Sequence, residues 1–349
     1  MRIKQAFYNL FKISDRGNES RKQKPRWLLL GSSVQGSSHR RHNLPCQDAH
    51  RAGVLGKGIA IIVCADGAGS AKRSQEGSRR AADALFASLK TQLAHAPSPL
   101  KVEWKRTIVG AFAQACQAVE ELARKKGLPT DDFATTLSCA IISDQGLAVG
   151  NIGDGMIVAQ GTDDSLFVAA PPQRGEYANE TYFITSRDSV RALQTAYCPQ
   201  RVEAVIAMSD GIWPLAVKRG KSSPSPDFFE PLLSFARKQK ERERSETRLA
   251  SFLSSQRVSS LNRDDKTLVM TVRSRPHPQR TTEAPTERRL VSLMRKTITS
   301  MRKRGRILIA RLEVELIERT LSFYNYEVRS RSADEERGGE SSYMGMKGK

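Results

Sequence analysis

Short apolar runs rich in β-branched residues recur along the chain and predict β-strands. Seven such runs are six to ten residues long, and several end at Gly or Asp, the residues that favour turns. The predicted strands are RWLLLGSSV (26–34), GIAIIVCAD (58–66), TTLSCAIIS (135–143), GLAVGNIGD (146–154), SLFVAA (165–170), RVEAVIAMSD (201–210) and KTLVMTV (266–272).

Two longer segments carry apolar residues on one helical face and predict α-helices over 74–95 and 103–127. The second ends at a glycine after a basic last turn, and a further helix is predicted near 226–255. Because the two long helices follow each other instead of alternating with strands, the pattern favours an α+β fold over a βαβ fold. The apolar stripes are Ala81, Ala84, Leu85, Leu89 and Leu93, then Ile108, Phe112, Ala115, Val119 and Leu122.

Charge divides the chain into a nearly ordinary middle and two basic ends. The net charge is +20, yet residues 1–26 hold eight Lys and Arg against two acidic residues, and residues 273–349 hold eighteen against ten. We therefore expect a basic N-terminal extension over 1–26, one domain over 27–272 and a Pro/Thr/Arg linker over 273–287. A basic helical C-terminal extension with a flexible tail is expected over 288–349. Solvated tails and partner-binding segments fit these ends equally well.

The cysteines and the longest apolar run favour a protein of the reducing cytoplasm. The five cysteines are odd in number and form no C-x-x-C pair, and Cys64 and Cys139 lie within apolar runs that predict core positions. The run IAIIVCA is far shorter than the roughly 20 residues that cross a bilayer. The N-terminus lacks the continuous apolar stretch of a secretory signal.

Aspartates stand where apolar runs end, an unusual arrangement in so basic a protein. Carboxylates that converge from distant segments repel one another unless cations neutralise them, and all-oxygen ligation suits Mg²⁺ or Mn²⁺. Zinc is disfavoured because the sequence has no His and Cys cluster with zinc spacing. The motifs are VCADG at Asp66, GNIGDG at Asp154, AMSDG at Asp210 and NRDDKT at Asp264 and Asp265, with an earlier CQDA at Asp48.

The ordered set of these motifs resembles the metal-dependent serine/threonine phosphatases of the protein phosphatase 2C type. The motifs are HRRHNLPCQDA, VCADGAGSAKRSQEGS, ATTL, VGNIGDG, AMSDGIW and NRDDKTLVMTV, and they cover roughly residues 27–272. The first motif is most similar to the bacterial branch, with its His followed by Pro-Cys-Gln-Asp-Ala. The resemblance implies an αββα sandwich of two antiparallel sheets flanked by helices, with two Mn²⁺ or Mg²⁺ ions at one end and a third, weaker site.

The same resemblance implies the role of each strand-end carboxylate. Asp66 would bridge the two ions and the Gly67 carbonyl would bind one of them. Asp210 and Asp264 would bind the other ion, so Asp66, Asp210 and Asp264 form the expected catalytic centre.

Four further positions complete the expected site. Asp154 would bind the third ion. Asp48 would act on the metals through water, and Gln47 and Thr136 would also hydrogen-bond water there.

Three departures from the family pattern leave two roles open. Gln47 stands where eukaryotic members usually have Glu, Asn43 stands at the position of a phosphate-binding Arg, and Ala68 stands where a His often follows the metal-binding Asp-Gly. No side chain is therefore identified as general acid. The phosphate-binding group is expected among His39, Arg40 and Arg41, with His42 as a further candidate.

The leading functional hypothesis is metal-dependent hydrolysis of phosphoserine and phosphothreonine on proteins by a metal-activated water. Such an enzyme would work with a cognate Ser/Thr kinase in bacterial cytoplasmic signalling. The alternative is a catalytically weak scaffold or phosphoprotein-binding module, which would have no need of mutually repelling carboxylates. Nucleic-acid binding through the basic ends is not favoured, because the chain lacks a zinc finger, an aromatic RNA-binding signature or a helix-turn-helix pattern.

Overall fold

The computed structural model describes residues 27–95, 102–173, 181–187, 189–217 and 223–274. The predicted N-terminal extension, nearly all of the linker and the helical C-terminal extension lie outside the described residues. Within the described part of the chain, no helix has the length and apolar character needed to cross a membrane.

In the described part of the chain, ten strands form two antiparallel sheets of five. The first sheet has the order β1-β10-β9-β6-β7 and the second the order β2-β3-β4-β5-β8. The strands are β1 Trp27–Val34, β2 Ala49–Leu55, β3 Ile59–Ala65, β4 Leu137–Ile142, β5 Leu147–Ile152, β6 Met156–Gly161, β7 Leu166–Ala170, β8 Gln194–Cys198, β9 Val202–Met208 and β10 Lys266–Arg273.

The helices lie between strands in sequence, and the longer ones cover the outer faces of the sheets. Short 3-10 turns at Gly56–Gly58, Thr130–Phe133 and Asp210–Ile212 join some of the elements. The helices are α1 Ser37–Arg41, α2 Ser74–His95, α3 Trp104–Lys126, α4 Ser189–Ala192, α5 Trp213–Ala216, α6 Pro226–Arg237, α7 Arg242–Leu253 and α8 Gln256–Ser259.

Strand β3 shows why the sheets stack face to face. Every residue of this strand is buried, because successive side chains point to opposite faces and both faces are covered. Ala60, Ile62 and Cys64 join the core between the two sheets, which also contains residues of β9 and β10. Ile61 and Val63 instead join the core formed with helices α2 and α3.

The second sheet-to-helix core completes an αββα sandwich. Apolar residues of β1, β9 and β10 pack there against α6 and α7, on the side of the molecule opposite α2 and α3. The expected α+β sandwich is therefore confirmed.

Most predicted elements are confirmed, and the exceptions have physical reasons. All seven predicted strands form, the two long helices match to within one residue at each end, and Cys64 and Cys139 are buried. Strand β2 was missed because its sequence AHRAGVL is polar and partly exposed, and β8 was missed because it is an exposed edge strand. Strand β6 was missed because it follows the turn after Asp154 so closely. The helix predicted near 226–255 is two helices, α6 and α7.

The strand pairing brings the aspartate motifs to one edge of the sandwich. The first residue of β2 pairs with the last of β3, Ala49 with Ala65, and the last residue of β9 pairs with Leu268 near the start of β10. Residues just before β2 and β10 and just after β3 and β9 therefore meet at the same end of the strands. We call this end of the sandwich the carboxylate edge. The opposite edge holds the pair Trp27 and Arg273, where the described domain begins and its last strand ends.

Candidate metal centre

Asp66 directly follows β3, and its backbone is fixed to the start of β4. Its amide N–H donates to Thr136 Oγ1 at 3.0 Å, and its carbonyl accepts from the Thr136 amide at 2.8 Å and from the Thr135 hydroxyl at 2.9 Å. These three hydrogen bonds satisfy the backbone locally. The Asp66 carboxylate interacts with the carboxylates of Asp48, Asp210 and Asp154, which together form the carboxylate cluster.

Asp48 precedes β2 and is held from the other sheet. The Ser209 hydroxyl donates to Asp48 Oδ2 at 2.8 Å, and the Ser209 oxygen accepts from the Thr267 amide at 2.9 Å. Asp48 is buried, and no donor among the described residues reaches its Oδ1. A buried carboxylate oxygen without a donor is costly unless another positive group binds it.

Asp210 begins the 3-10 turn after β9, and its position depends on the glycine that follows. A Cβ built on Gly211 would lie 2.0 Å from the Asp265 carbonyl oxygen, so only glycine lets the two strand ends approach this closely. Asp210 Oδ1 is also buried without a hydrogen-bond partner in the described structure.

Asp154 lies in the tight turn between β5 and β6. Gly153 adopts a φ of 105°, which favours glycine, and its N–H donates to Gln173 Oε1 at 2.6 Å. Asn151 Nδ2 lies 3.1 Å from the carbonyl oxygen of the same glycine. The Thr181 hydroxyl donates to Asp154 Oδ2 at 3.1 Å, which directs the carboxylate.

The carboxylates perturb one another strongly. Burial, followed by the charges of Asp48 and Asp210, raises the pKa of Asp66 well above its usual range. Burial raises the pKa of Asp48 to about 7, and burial together with Asp154 and Asp264 raises the pKa of Asp210 to about 6. Burial also raises the pKa of Asp154. Carboxylates from distant segments therefore act on each other, as the sequence predicted.

The aspartate pair before β10 divides into an exposed and a buried member. Asp264 is exposed, and its Oδ1 accepts the Asp265 amide at 2.8 Å. Asp265 is 2% exposed, and its carboxylate accepts the amides of Gly36 and Gln47, each at 2.6 Å. Sequence reasoning missed Asp265 as a site residue. The doubled Asp was its only signal, since the amides that it binds are more than 200 positions away.

A buried lysine lies beside this pair. Lys266 is 1% exposed, and its ammonium donates to the Asp264 carbonyl at 2.5 Å. Burial lowers its pKa, while the charges of Asp264 and Asp265 oppose that shift. The sequence pattern gave no indication of a cation inside the cluster.

The residues expected to bind phosphate fall into two groups. His39 is close to the centre, with Nδ1 2.9 Å from Asp265 Oδ2 and a side chain 12% exposed. Arg40 and Arg41 are exposed and donate to backbone carbonyls near the start of α1, Gln35 O at 2.7 Å and Ser37 O at 3.3 Å. Which of them binds phosphate stays a prediction.

The donor set fits divalent cations. The cluster offers carboxylate oxygens from separate segments, and Asp48 Oδ1, Asp210 Oδ1 and Gln47 Oε1 are buried without a hydrogen-bond partner in the described structure. A ring nitrogen of His39 and carboxylate oxygens of Asp264 and Asp265 also lie within 4.8 Å of one another. Hard divalent ions bind oxygen sets of this kind.

Sequence comparison finds relatives among protein phosphatases. Residues 35–254 match the family described as protein phosphatase 2C. The chain is 33% identical over 250 residues to serine/threonine-protein phosphatase 3 of Escherichia coli strain K12, which covers 70% of this chain and 97% of that protein.

Solved structures share the fold at low sequence identity. A bacterial serine phosphatase superposes with a TM-score of 0.50 at 13% identity, over 71% of this chain and 98% of its own. A sex-determining protein of C. elegans gives a TM-score of 0.51 at 14% identity, over 71% of this chain and 65% of its own. At these identities the likeness concerns the arrangement of sheets and helices alone.

Proposed function

The chain belongs to the protein phosphatase 2C family, and on that premise we propose that it hydrolyses phosphoserine and phosphothreonine in proteins with Mn²⁺ or Mg²⁺ as cofactor. The observation that carries the proposal is the burial of several carboxylates together at one sandwich edge, where Asp48 and Asp210 add charge repulsion to the burial of Asp66. Asp48 Oδ1 and Asp210 Oδ1 are buried there without a hydrogen-bond partner in the described structure. Such mutual repulsion is a cost to the fold that bound cations would remove.

The proposed ligands are those that the resemblance of the motifs to the family implies. Asp66 and the Gly67 carbonyl would hold one ion, and Asp66, Asp210 and Asp264 the other. Asp154 would hold a third ion, and Asp48 would act through water. When bound, the ions would supply Lewis acidity for the attack of water on phosphorus and would offset charge on the phosphoryl oxygens.

The protein's own groups set the geometry of that reaction. Thr135 and Thr136 fix the backbone of Asp66, and Ser209 orients Asp48 from the facing sheet. Because these contacts come from residues adjoining the buried strands β4 and β9, the side chains proposed to bind the ions stand next to rigid elements. The side chains that would bind the ions are therefore held in place before the ions bind.

One assay tests the proposal. The wild type is incubated with p-nitrophenyl phosphate and with a phosphothreonine peptide, in Mn²⁺ or Mg²⁺ and in EDTA, beside Asp66→Asn and Asp210→Asn. Asp83→Asn is the matched control, because Asp83 is 51% exposed and pairs with Arg51 on the helix α2 side. We expect turnover that needs a divalent cation, is lost in the two cluster variants and is kept in the control.

Two results would contradict the proposal. Absence of metal-dependent turnover by the wild type on both substrates would favour the scaffold or phosphoprotein-binding alternative. Turnover that survives in both cluster variants would reject the site assignment. Comparison of Mn²⁺ with Mg²⁺ in the same assay identifies the preferred ion.

The organisation of the chain and its partners are part of the same proposal. The catalytic domain would occupy residues 27–272, although β10 runs one residue further to Arg273, with 1–26, 273–287 and 288–349 as attached segments. Its substrates would be phosphoproteins of a bacterial cytoplasm, made by a cognate Ser/Thr kinase. Kinase and phosphatase would then set the phosphorylation level of shared targets.

A further inference from the structure

Release of a serine or threonine side chain from phosphorus requires a proton. The departing oxygen would otherwise leave as an alkoxide, which is a much poorer leaving group than a phenolate. A side chain placed to give that proton contributes roughly 10²–10⁴-fold in rate. The residue after the Asp66-Gly67 pair is Ala68, which has no proton to give.

Asp265 closes the loop of residues 36–47 onto the candidate metal centre. Its carboxylate accepts the amide of Gly36 at the start of this loop and the amide of Gln47 at its end, each at 2.6 Å. Asp265 also follows Asp264 directly, so the loop is fastened beside a proposed metal ligand. Helix α1, which lies within the loop, is further held by the Ser38 amide donating to the Arg263 carbonyl at 2.9 Å.

The loop carries His39 to the side of this carboxylate. His39 Nδ1 lies 2.9 Å from Asp265 Oδ2, an ion-pair contact when the ring is protonated. One ring nitrogen also lies within 4.8 Å of an Asp264 carboxylate oxygen. The side chain is 12% exposed, so the ring is largely enclosed but still reaches the surface. A carboxylate on one ring nitrogen leaves the other available for proton transfer.

The other basic side chains near the candidate metal centre are not suited to donate this proton. The Lys266 ammonium is buried and donates to the Asp264 carbonyl. Arg40 and Arg41 are exposed, and a guanidinium does not release its proton in proteins. His42 is exposed, and its Nδ1 lies 2.9 Å from the Ser38 carbonyl within α1.

We propose that His39, oriented by Asp265, donates the proton on Nε2 to the departing seryl or threonyl oxygen. This inference rests on the proposed phosphatase function. In the step a bond forms between the attacking water oxygen and phosphorus while the bond from phosphorus to the side-chain oxygen breaks. The Nε2 proton passes to that oxygen, and the proton that the attacking water loses on becoming part of the phosphate returns to the ring. His39 is then a catalytic residue and Asp265 its positioning residue.

The test compares two leaving groups in His39→Gln. For the phosphothreonine peptide, which leaves as an alcohol, we expect kcat to fall about 100-fold. For p-nitrophenyl phosphate, which leaves as a stable phenolate, we expect a fall of less than about fivefold. His95→Gln at the exposed end of α2 is the control and should keep both activities. Asp265→Asn should show the same selective loss at about tenfold, because it keeps one acceptor oxygen.

Calorimetric titration with Mn²⁺ gives a readout that is independent of turnover. His39→Gln should bind Mn²⁺ as the wild type does, and its circular dichroism should be unchanged. A large loss of Mn²⁺ affinity would overturn the proposal and make His39 a metal ligand. Equal losses on both substrates beside an active wild type would overturn the proton-donor role and favour a phosphate-binding one. An inactive wild type would overturn the proposed function itself.

Discussion

The two edges of the sandwich both bury charge, and they do so in opposite ways. At one edge Asp48, Asp66 and Asp210 lie together, and burial and neighbouring like charges raise the pKa of each. At the other edge the Arg273 side chain, 5% exposed, has Nη1 2.7 Å from Asp144 Oδ1. The guanidinium also lies 3.6 Å from a Glu203 oxygen and 4.3 Å above the Trp27 ring.

This difference separates a structural charge from a functional one. At the Arg273 edge opposite charges compensate each other, so the fold gains nothing from an added ion. At the carboxylate edge burial and like charges raise the pKa of the aspartates, so cations or protons would stabilise the fold there. Substitutions at the two edges should therefore have opposite effects on stability and activity.

Asp66→Asn should give the largest effect and should separate activity from stability. Removing the carboxylate deprives the proposed site of its bridging ligand, so turnover of the phosphothreonine peptide should fall at least about a thousandfold. The same change removes a buried charge that Asp48 and Asp210 repel, so the melting temperature in EDTA should rise. Calorimetry and the peptide assay measure the two quantities, and a lower melting temperature in EDTA would contradict the comparison.

Arg273→Met should show the reverse behaviour. Loss of the guanidinium removes its contacts with Asp144, Glu203 and the Trp27 ring and should lower the free energy of unfolding by about 3 kcal/mol. Peptide turnover at 25 °C should stay within about twofold of wild type, because the residue lies at the edge away from the proposed site. Arg201→Met is the control, since Arg201 is 52% exposed and its pairing with Glu203 is worth less than about 1 kcal/mol.

The pH dependence of the metal-free protein should report the carboxylate edge. The pKa of Asp48 is raised from 3.8 to about 7 and that of Asp210 to about 6, so the folded protein holds protons that the unfolded chain has released. The free energy of unfolding in EDTA should therefore fall as the pH rises from about 4 to about 7. With Mn²⁺ the trend should weaken or reverse, because ligands bind metal in their deprotonated form. Identical curves with and without Mn²⁺ would speak against a metal centre.

Thr181→Val should give the smallest effect and should test the third ion. The Thr181 hydroxyl donates to Asp154 Oδ2 at 3.1 Å, and its loss leaves that carboxylate less well directed. We expect the Mn²⁺ concentration for half-maximal activity to rise about two- to fivefold, an effect of about 0.5–1 kcal/mol. Thr247→Val on the exposed face of α7 is the control. No change in Mn²⁺ dependence would leave Asp154 outside the metal site.

Much of the fold was predictable because both faces of the central strands are buried. Continuous apolar runs such as IAIIVCA give a strong strand signal, and the long helices carry complete apolar stripes. Partly exposed strands such as β2 and β8 lack that signal, because one face meets solvent and the alternation is blurred by polar residues.

The candidate site likewise contains residues that the sequence predicts and residues that it does not. Asp66, Asp154 and Asp210 were visible because each follows an apolar strand and adjoins glycine. Asp265 and Lys266 were not, because their roles depend on backbone groups that approach only in the folded chain. The sequence pattern identifies the carboxylates. The groups that orient them come together only when the chain packs.

The pairing of the first described strand with the last has a topological consequence. Strands β1 and β10 pair over their whole length, from Trp27 with Arg273 to Val34 with Lys266. The two ends of the domain are therefore neighbours, about 23 Å along the strands from the carboxylate edge. A short covalent link between residues 27 and 273 could close the domain into a ring, and a cut in an exposed turn would create new termini without disturbing the carboxylates.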